Sequence, residues 1–257
     1  MSRKLCEQTL SMMKEVRKSF RKEVKHSILD TVKYENVRTL KSDEEFKDFA
    51  EPAEVQVVCE DSVDAGFALQ KEGFNPLILN MASERKPGGG WRNGKTAQEE
   101  SLFYRSTYHL ALEDPLSENP QSGDYYPLSV YSAIYTPDVY FFRDSDYKQL
   151  SYGDCRFLSC VAMAAIRHPK LDGGKYKESD RKKMERKIKG IFKIALKHGH
   201  DSVVLGAFGC GVFRNPPEEV AQIFSDVITQ CRHSFKRITF AILGDDNFST
   251  FKKVLTK

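Results

Sequence analysis

The chain has 257 residues, 40% hydrophobic and 30% charged, which are the proportions of a globular protein. A chain this long buries about three quarters of the surface its unfolded form exposes, so it needs no disulfide or metal staple. A net charge of +4 is too mild to mark a polyanion-binding protein, and the apolar runs are too short to span a membrane.

The first element in chain order is a helix over Met1–Val24, with Leu5, Leu10, Met13, Val16 and Phe20 near helical spacing. Glu54–Cys59 reads as a short strand, and Ser62 is a candidate N-cap for a helix ending at Gln70. Pro76–Ser83 reads as a buried strand, followed by the loop Pro87–Glu100 and a helix over Ser101–Leu112. Asp114–Tyr126 is rich in turn-forming residues. Val130–Tyr135 and Val139–Arg143 are strand-like around a turn at Pro137, and Arg156–Ala164 is a further buried strand. Asp180–Lys197 is amphipathic, with Met184, Ile188, Ile191, Phe192 and Ala195 on one face. Ser202–Phe208 is a strand, Pro216–Gln230 a helix and Arg237–Leu243 the last strand. Strands alternating with helices predict an α/β layer architecture.

The cysteines Cys6, Cys59, Cys155, Cys160, Cys210 and Cys231 form no CxxC pair, which predicts reduced thiols. The N-terminus lacks an apolar signal core and carries Glu7, Glu15 and Glu23, so an intracellular, cytoplasmic or nuclear location is expected. The histidines show no ligand spacing, and His198–Gly199–His200 reads as a helix end; no metal and no cofactor is expected. Lys182, Lys183, Arg186, Lys187 and Lys189 read as the solvated face of the Asp180–Lys197 helix and not as a nucleic-acid site. The tyrosines Tyr104, Tyr108, Tyr125 and Tyr126 read as packing residues.

Two glycine-rich loops stand out. The first, PGGGWRNGKTAQEE, joins three glycines, the single tryptophan and two adjacent acids between a strand and a helix. The second, GAFGCGVFRNPP over Gly206–Pro217, also follows a strand and precedes a helix, with Asn215 as candidate N-cap and Pro216 at the first helical position. Either is readable as an ordinary turn. Together they could present backbone N–H groups to the two halves of a diphosphate. Thr96 and Glu99 fit a capping box, which gives Glu99 a structural role; Glu100 has none. The helix dipole favours an anion at Glu100 by about 0.3–1 kcal/mol, so burial or a nearby diphosphate would be needed to keep it protonated. Cys210 has no partner base and reads as a small residue in a tight loop.

At these residues the chain resembles the microbial-type poly(ADP-ribose) glycohydrolases of the macrodomain superfamily. Gly88, Gly89 and Gly90 are followed, after a spacer, by Gln98, Glu99 and Glu100, as in that family's signature. The strand carrying Asn80, the segment YTPDVYFFRD and the loop GAFGCGVF agree in order, and the resemblance covers nearly the whole chain. It implies a macrodomain-like three-layer α/β/α fold, with a mixed central sheet and helices on both faces. It implies one domain over residues 1–257, residues 1–50 being a helical extension packed on it.

The resemblance also implies an ADP-ribose pocket. Glu100 would be the general acid/base and Glu99 would hold and orient the distal ribose, beside Asn80 and Phe213. Gly88, Gly89, Gly90, Gln98, Gly206, Gly209, Cys210, Gly211 and Val212 would line the diphosphate and ribose. Trp91 would either line the pocket or anchor the loop, and adenine would lie near the Cys59–Ser62 strand end. The implied reaction is hydrolysis of ribose–ribose O-glycosidic bonds through an oxocarbenium-like state, releasing ADP-ribose from poly(ADP-ribose) or ADP-ribosylated proteins, by a monomer. Alternatives are a reader that binds without cleaving, or a hydrolase of mono-ADP-ribose on an acceptor.

Overall fold

The computed structural model describes residues 2–40, 49–151, 153–154 and 156–256. Part of the expected N-terminal extension (41–48) and Cys155 lie outside the described residues.

The core is a seven-stranded mixed sheet. Its strands are β1 (Val32–Tyr34), β2 (Glu54–Val58), β3 (Pro76–Met81), β4 (Ala133–Phe141), β5 (Arg156–Met163), β8 (Ser202–Leu205) and β9 (Arg237–Ala241). The spatial order is β1-β4-β5-β3-β8-β9-β2. The β1–β4 and β4–β5 pairs are antiparallel; all other neighbours run parallel. A small hairpin, β6 (Leu171–Asp172) with β7 (Lys175–Tyr176), stands apart.

Strand alternation divides the core between two faces. Leu77, Leu79, Val203, Leu205, Ile238 and Phe240 point to one face. That face is covered by α6 (Glu178–Lys197), α7 (Pro217–Cys231) and α8 (Asp245–Leu255). Ile78, Cys160, Ala162 and Val204 point to the other, covered by α3 (Ser62–Lys71), α4 (Gln98–Arg105) and α5 (Tyr108–Leu112). Helices α1 (Ser2–Ser19) and α2 (Arg21–Leu29) pack over α4, α5 and β4 on this second side. The layers are those expected of an α/β/α protein with a mixed sheet.

Several local expectations are corrected. The N-terminal helix is two helices, interrupted at Phe20, whose ring packs on Tyr140 with centroids 4.4 Å apart. The helix expected over Ser101–Leu112 starts at Gln98 and breaks at Ser106. There the chain turns extended to reach β4: Phe142 N–H donates to Arg105 O, Thr107 N–H donates to Tyr140 O, and the Ser106 hydroxyl accepts from Tyr108 N–H to start α5. The two strands expected around Pro137 are one strand with a bulge between Thr136 and Val139. A bulge is where proline's missing N–H is tolerated within a sheet. Asp61, not Ser62, caps α3, its carboxylate accepting from Val63 N–H at 2.8 Å. Lys187 is not on a solvated face: it is buried, donating to the Val130 and Ala164 carbonyls. The C-terminal helix α8, the edge strand β1 and the hairpin were not foreseen.

Candidate active site

The parallel strands β3, β8 and β9 end together, and a cleft opens over their C-terminal ends, the usual ligand position in such sheets. The cleft has two adjoining compartments of about 480 and 410 Å³, which share Met81, Ala97, Gln98, Ala207 and Gly211 as walls. One ends at Glu60, Asp61, Tyr147 and Asn247. The other holds Glu99 and Glu100, between Gly89, Gly90 and the Gly209–Phe213 segment.

The first loop is built around the two acids. Glu99 is 5% exposed; its Oε2 accepts from Ser83 N–H at 2.8 Å and its Oε1 from Gly88 N–H at 3.1 Å. Glu100 is 7% exposed; its Oε1 accepts from Gly90 N–H at 2.8 Å and its Oε2 from Ala97 N–H at 3.1 Å. The expected capping role therefore falls on the other glutamate. Glu100 sits three residues after the cap position, Ala97, and closes the helix start, while Glu99 reaches back to the end of β3. Gly89 is required between them. A Cβ there would stand 2.7 Å from Glu100 Oε1 and 2.9 Å from Glu99 Oε2, and its φ of +52° disfavours any side chain.

Burial pushes the Glu99 carboxyl up to about 8, helped by the adjacent Glu100 charge and opposed by the Ser83 and Gly88 N–H groups. The groups behind Glu99 are polar and neutral. Asn80 is fully buried beside the Glu99 carboxyl and the Tyr108 hydroxyl, without hydrogen-bond geometry to either. The Tyr108 and Tyr126 hydroxyls, also within reach of the Glu99 charge, have no partner among the described residues. This chamber of neutral polar groups was not foreseen, because its residues come from three separated segments. Asn80 lies behind Glu99 and, contrary to the expected ribose contact, is not among the residues that line the cleft.

Gln98 fastens α4 to the sheet: its Oε1 accepts from Met81 N–H at 3.0 Å and its Nε2 donates to Leu79 O at 2.8 Å. Trp91 is an anchor. Its ring is buried against Phe103 and His109, and its Nε1 donates to Glu113 Oε1 at 3.0 Å. The Tyr104 hydroxyl holds the loop's far arm through Trp91 O and Lys95 O.

The second loop is held by Asn215, which does not cap α7. Its amide donates to Ile166 O at 2.7 Å and to Gly209 O at 2.9 Å, and accepts from the Tyr176 hydroxyl at 2.6 Å. Pro216 takes the cap position and Pro217 begins the helix. A Cβ on Gly209 would meet Ala165 and Asn215 at 2.4 Å. Gly206 rests on Met81, and Gly211 faces both compartments with no protein atom near its Cβ direction. Val212 is exposed, and the Phe213 ring lines the Glu99 compartment beneath the Arg167 guanidinium. Cys210 is not among the residues that line the cleft. Burial pushes its thiol up to about 12, the wrong direction for a nucleophile. No cluster of His, Cys, Asp and Glu able to hold a metal occurs among the described residues.

The chain matches the family model for the microbial-type PARG catalytic domain over residues 4–144. It is 32% identical over 88 residues to an uncharacterized protein of Pyrococcus abyssi, a match covering 33% of this chain. The chain thus spans about half (48%) of the length of that curated relative. Among solved structures it is similar to poly(ADP-ribose) glycohydrolase from Thermomonospora curvata, with a TM-score of 0.82 and 24% identity over 98% of both chains. It is also similar to the Deinococcus radiodurans poly(ADP-ribose) glycohydrolase in complex with ADP-ribose. There the TM-score is 0.76 and the identity 23%, over 91% of this chain and 97% of that one. At these identities the structures establish the fold.

Proposed function

This chain belongs to the microbial-type poly(ADP-ribose) glycohydrolase family, and on that premise we propose that it hydrolyses the ribose–ribose O-glycosidic bonds of poly(ADP-ribose), releasing ADP-ribose. One observation carries the reading. Two adjacent buried carboxyls bracket Gly89 on the wall of a cleft whose other walls are two glycine loops at strand ends. Glycine loops alone would serve a binding protein; a buried acid pair beside them supplies proton transfer.

In this reading the diphosphate lies where Gly206 and Gly211 meet the first loop, and the distal ribose enters the Glu99 compartment beside Phe213. The adenine occupies the other compartment, where Glu60 and Asp61 offer carboxylate acceptors to its amino group and the Tyr147 ring offers a stacking face. Glu60 is held above the usual carboxylate range by burial and by Asp64 and Asp61. Glu99 orients the ribose hydroxyls. Glu100 protonates the leaving ribose oxygen as the C–O bond breaks. The resulting carboxylate then takes a proton from the water that adds to the anomeric carbon, so the acid is regenerated. The chain acts as one domain and as a monomer, on free polymer and on ADP-ribosylated proteins.

Incubation with poly(ADP-ribose) and assay of ADP-ribose release tests this. Glu100→Gln is expected to abolish release while still binding ADP-ribose; full activity in that variant would refute the assignment. A second reading makes Glu99 the donor, which its carboxyl, raised to about 8, favours. Glu99→Gln would then abolish release and Glu100→Gln would keep it. Tight ADP-ribose binding with no release by the parent protein would indicate a reader.

A further inference from the structure

The cleft is polarised along its length. Acids Glu60, Asp61 and Asp64 line the compartment away from the acid pair, whereas Arg85, Lys86 and Lys95 line the compartment of Glu99 and Glu100, Lys86 also bordering a neighbouring hollow beside Trp91 and Tyr126. Most cations near this mouth are already paired. Arg85 and Arg167 share Glu84 at 3.4 and 3.3 Å, and Arg92 is held by Glu113. Among the described residues, Lys86 and Lys95 have no carboxylate within ion-pair distance.

The Lys95 stem is nevertheless placed, and the Lys86 backbone is held. Lys95 N–H donates to Gly90 O at 3.2 Å and Lys95 O accepts from the Tyr104 hydroxyl at 3.1 Å. The Lys95 side chain lies over Gly90: a Cβ on that glycine would stand 2.4 Å from Lys95 Cγ. Lys86 O accepts from Gly89 N–H at 3.4 Å, which ties the Lys86 backbone to the same loop. Two exposed lysines without a carboxylate partner among the described residues thus stand at the loop that grips both glutamates.

We propose that Lys86 and Lys95 bind the diphosphate of the departing polymer unit, so that this site favours poly(ADP-ribose) over a single ADP-ribosyl group. The inference rests on the glycohydrolase reading and deepens it. With the distal ribose at Glu99 and Glu100, the leaving group is a ribose that carries its own diphosphate a few bonds away. That dianion emerges at the compartment mouth, where a neutral acceptor would offer the lysines nothing. Exposed cations hold phosphates chiefly by charge, so the preference weakens with salt.

The test uses the double variant Lys86→Met/Lys95→Met, which keeps the apolar stem on Gly90, and the corresponding double arginine variant, which keeps the charge. The substrates are poly(ADP-ribose) and an ADP-ribose bearing a neutral alkyl alcohol at the anomeric carbon. For the methionine pair, kcat/KM on the polymer is expected to fall about tenfold at low salt, with little change on the neutral conjugate. The arginine pair should restore the polymer rate. Equal losses on both substrates would overturn the proposal, since the lysines would then serve the bound ADP-ribose itself. An unchanged polymer rate would overturn it as well. Binding to Glu100→Gln protein separates this from the glycohydrolase reading. If the parent cleaves neither substrate that reading fails, while a polymer-over-ADP-ribose affinity ratio that depends on the two lysines still supports the polymer site.

Discussion

Glu99 and Glu100, neighbours in the chain, take the peptide N–H groups on either side of Gly89: Glu99 that of Gly88 at 3.1 Å, Glu100 that of Gly90 at 2.8 Å. One backbone turn therefore fixes both carboxyls. Gly89→Ala is expected to lower ADP-ribose release by at least about a hundredfold, because a carboxyl displaced by an ångström loses its geometry with the bond. The positive φ adds about 1–3 kcal/mol of destabilisation. Gly211→Ala provides the contrast. Beyond its chain neighbours, no atom of the described residues lies within 4 Å of its Cβ position, so the free protein's melting temperature should hold or rise slightly while ADP-ribose affinity falls. Calorimetric titration and thermal melts of both variants check the pair.

The stability of the protein should carry the signature of Glu99. Burial pushes its carboxyl up to about 8 in the fold, from an ordinary 4.5. The contribution of the neutral carboxyl is fully present below about 4.5 and is lost as pH rises through 8. Glu99→Gln is neutral at every pH, though its amide meets the Ser83 or Gly88 N–H at a constant cost. Compared with this variant, the parent protein should lose on the order of a few kcal/mol between about pH 5 and 9. Urea midpoints of both proteins across that range check the slope; parallel pH profiles would show that Glu99 titrates normally.

Which parts of this site were legible depended on whether the signal was local. The apolar run within Pro76–Ser83 and the spacing from Gly88 to Glu100 lie within short stretches; the strand occupies Pro76–Met81 of that run and the loop follows it. The cap was misassigned because Thr96 has the hydroxyl that capping rules seek, while Ala97, which holds the position, has no acceptor at all. Helix α4 begins there instead because Gln98 is tied to Leu79 and Met81, contacts that no local pattern encodes. The chamber behind Glu99 needs Asn80, Tyr108 and Tyr126 together, and only the folded sheet brings them near. Helix α8 carried a readable signal: Phe248, Phe251, Val254 and Leu255 recur at helical spacing.

Tyr125 and Tyr126 should respond oppositely to the same substitution. The Tyr125 hydroxyl donates to Thr31 O at 2.7 Å and accepts from Asn119 Nδ2 at 2.8 Å. Tyr125→Phe removes one hydrogen bond from each, while Thr31 O keeps Asn119 Nδ2 at 3.2 Å and Asn119 Nδ2 keeps Ile28 O at 2.8 Å, and should cost about 0.5–1.5 kcal/mol. The Tyr126 hydroxyl has no partner among the described residues, so Tyr126→Phe removes a buried polar group that satisfies nothing. It should be neutral or stabilising by up to about 1 kcal/mol. Denaturant unfolding decides between them, and equal losses would mean that an ordered water serves Tyr126.

Arg105 ties the acid loop to the far end of the cleft. It is fully buried at the end of α4, donating to Asp61 Oδ1 at 2.6 Å, to Asp64 Oδ1 at 2.9 Å and to Arg143 O at 3.2 Å. Asp61 also caps α3 and lines the compartment assigned to adenine. A lysine keeps the charge but cannot span both carboxylates, so Arg105→Lys should destabilise by about 2–4 kcal/mol. Arg105→Met strands two carboxylates beside an apolar side chain and should cost about 3–5 kcal/mol. Because the disturbance enters through Asp61, which lines the compartment that does not hold Glu100, it should raise the KM of the folded protein for poly(ADP-ribose) more than it lowers kcat. Kinetics below the melting transition, read beside urea midpoints, separate the two effects. A fall in kcat alone would instead place the strain at the acid pair.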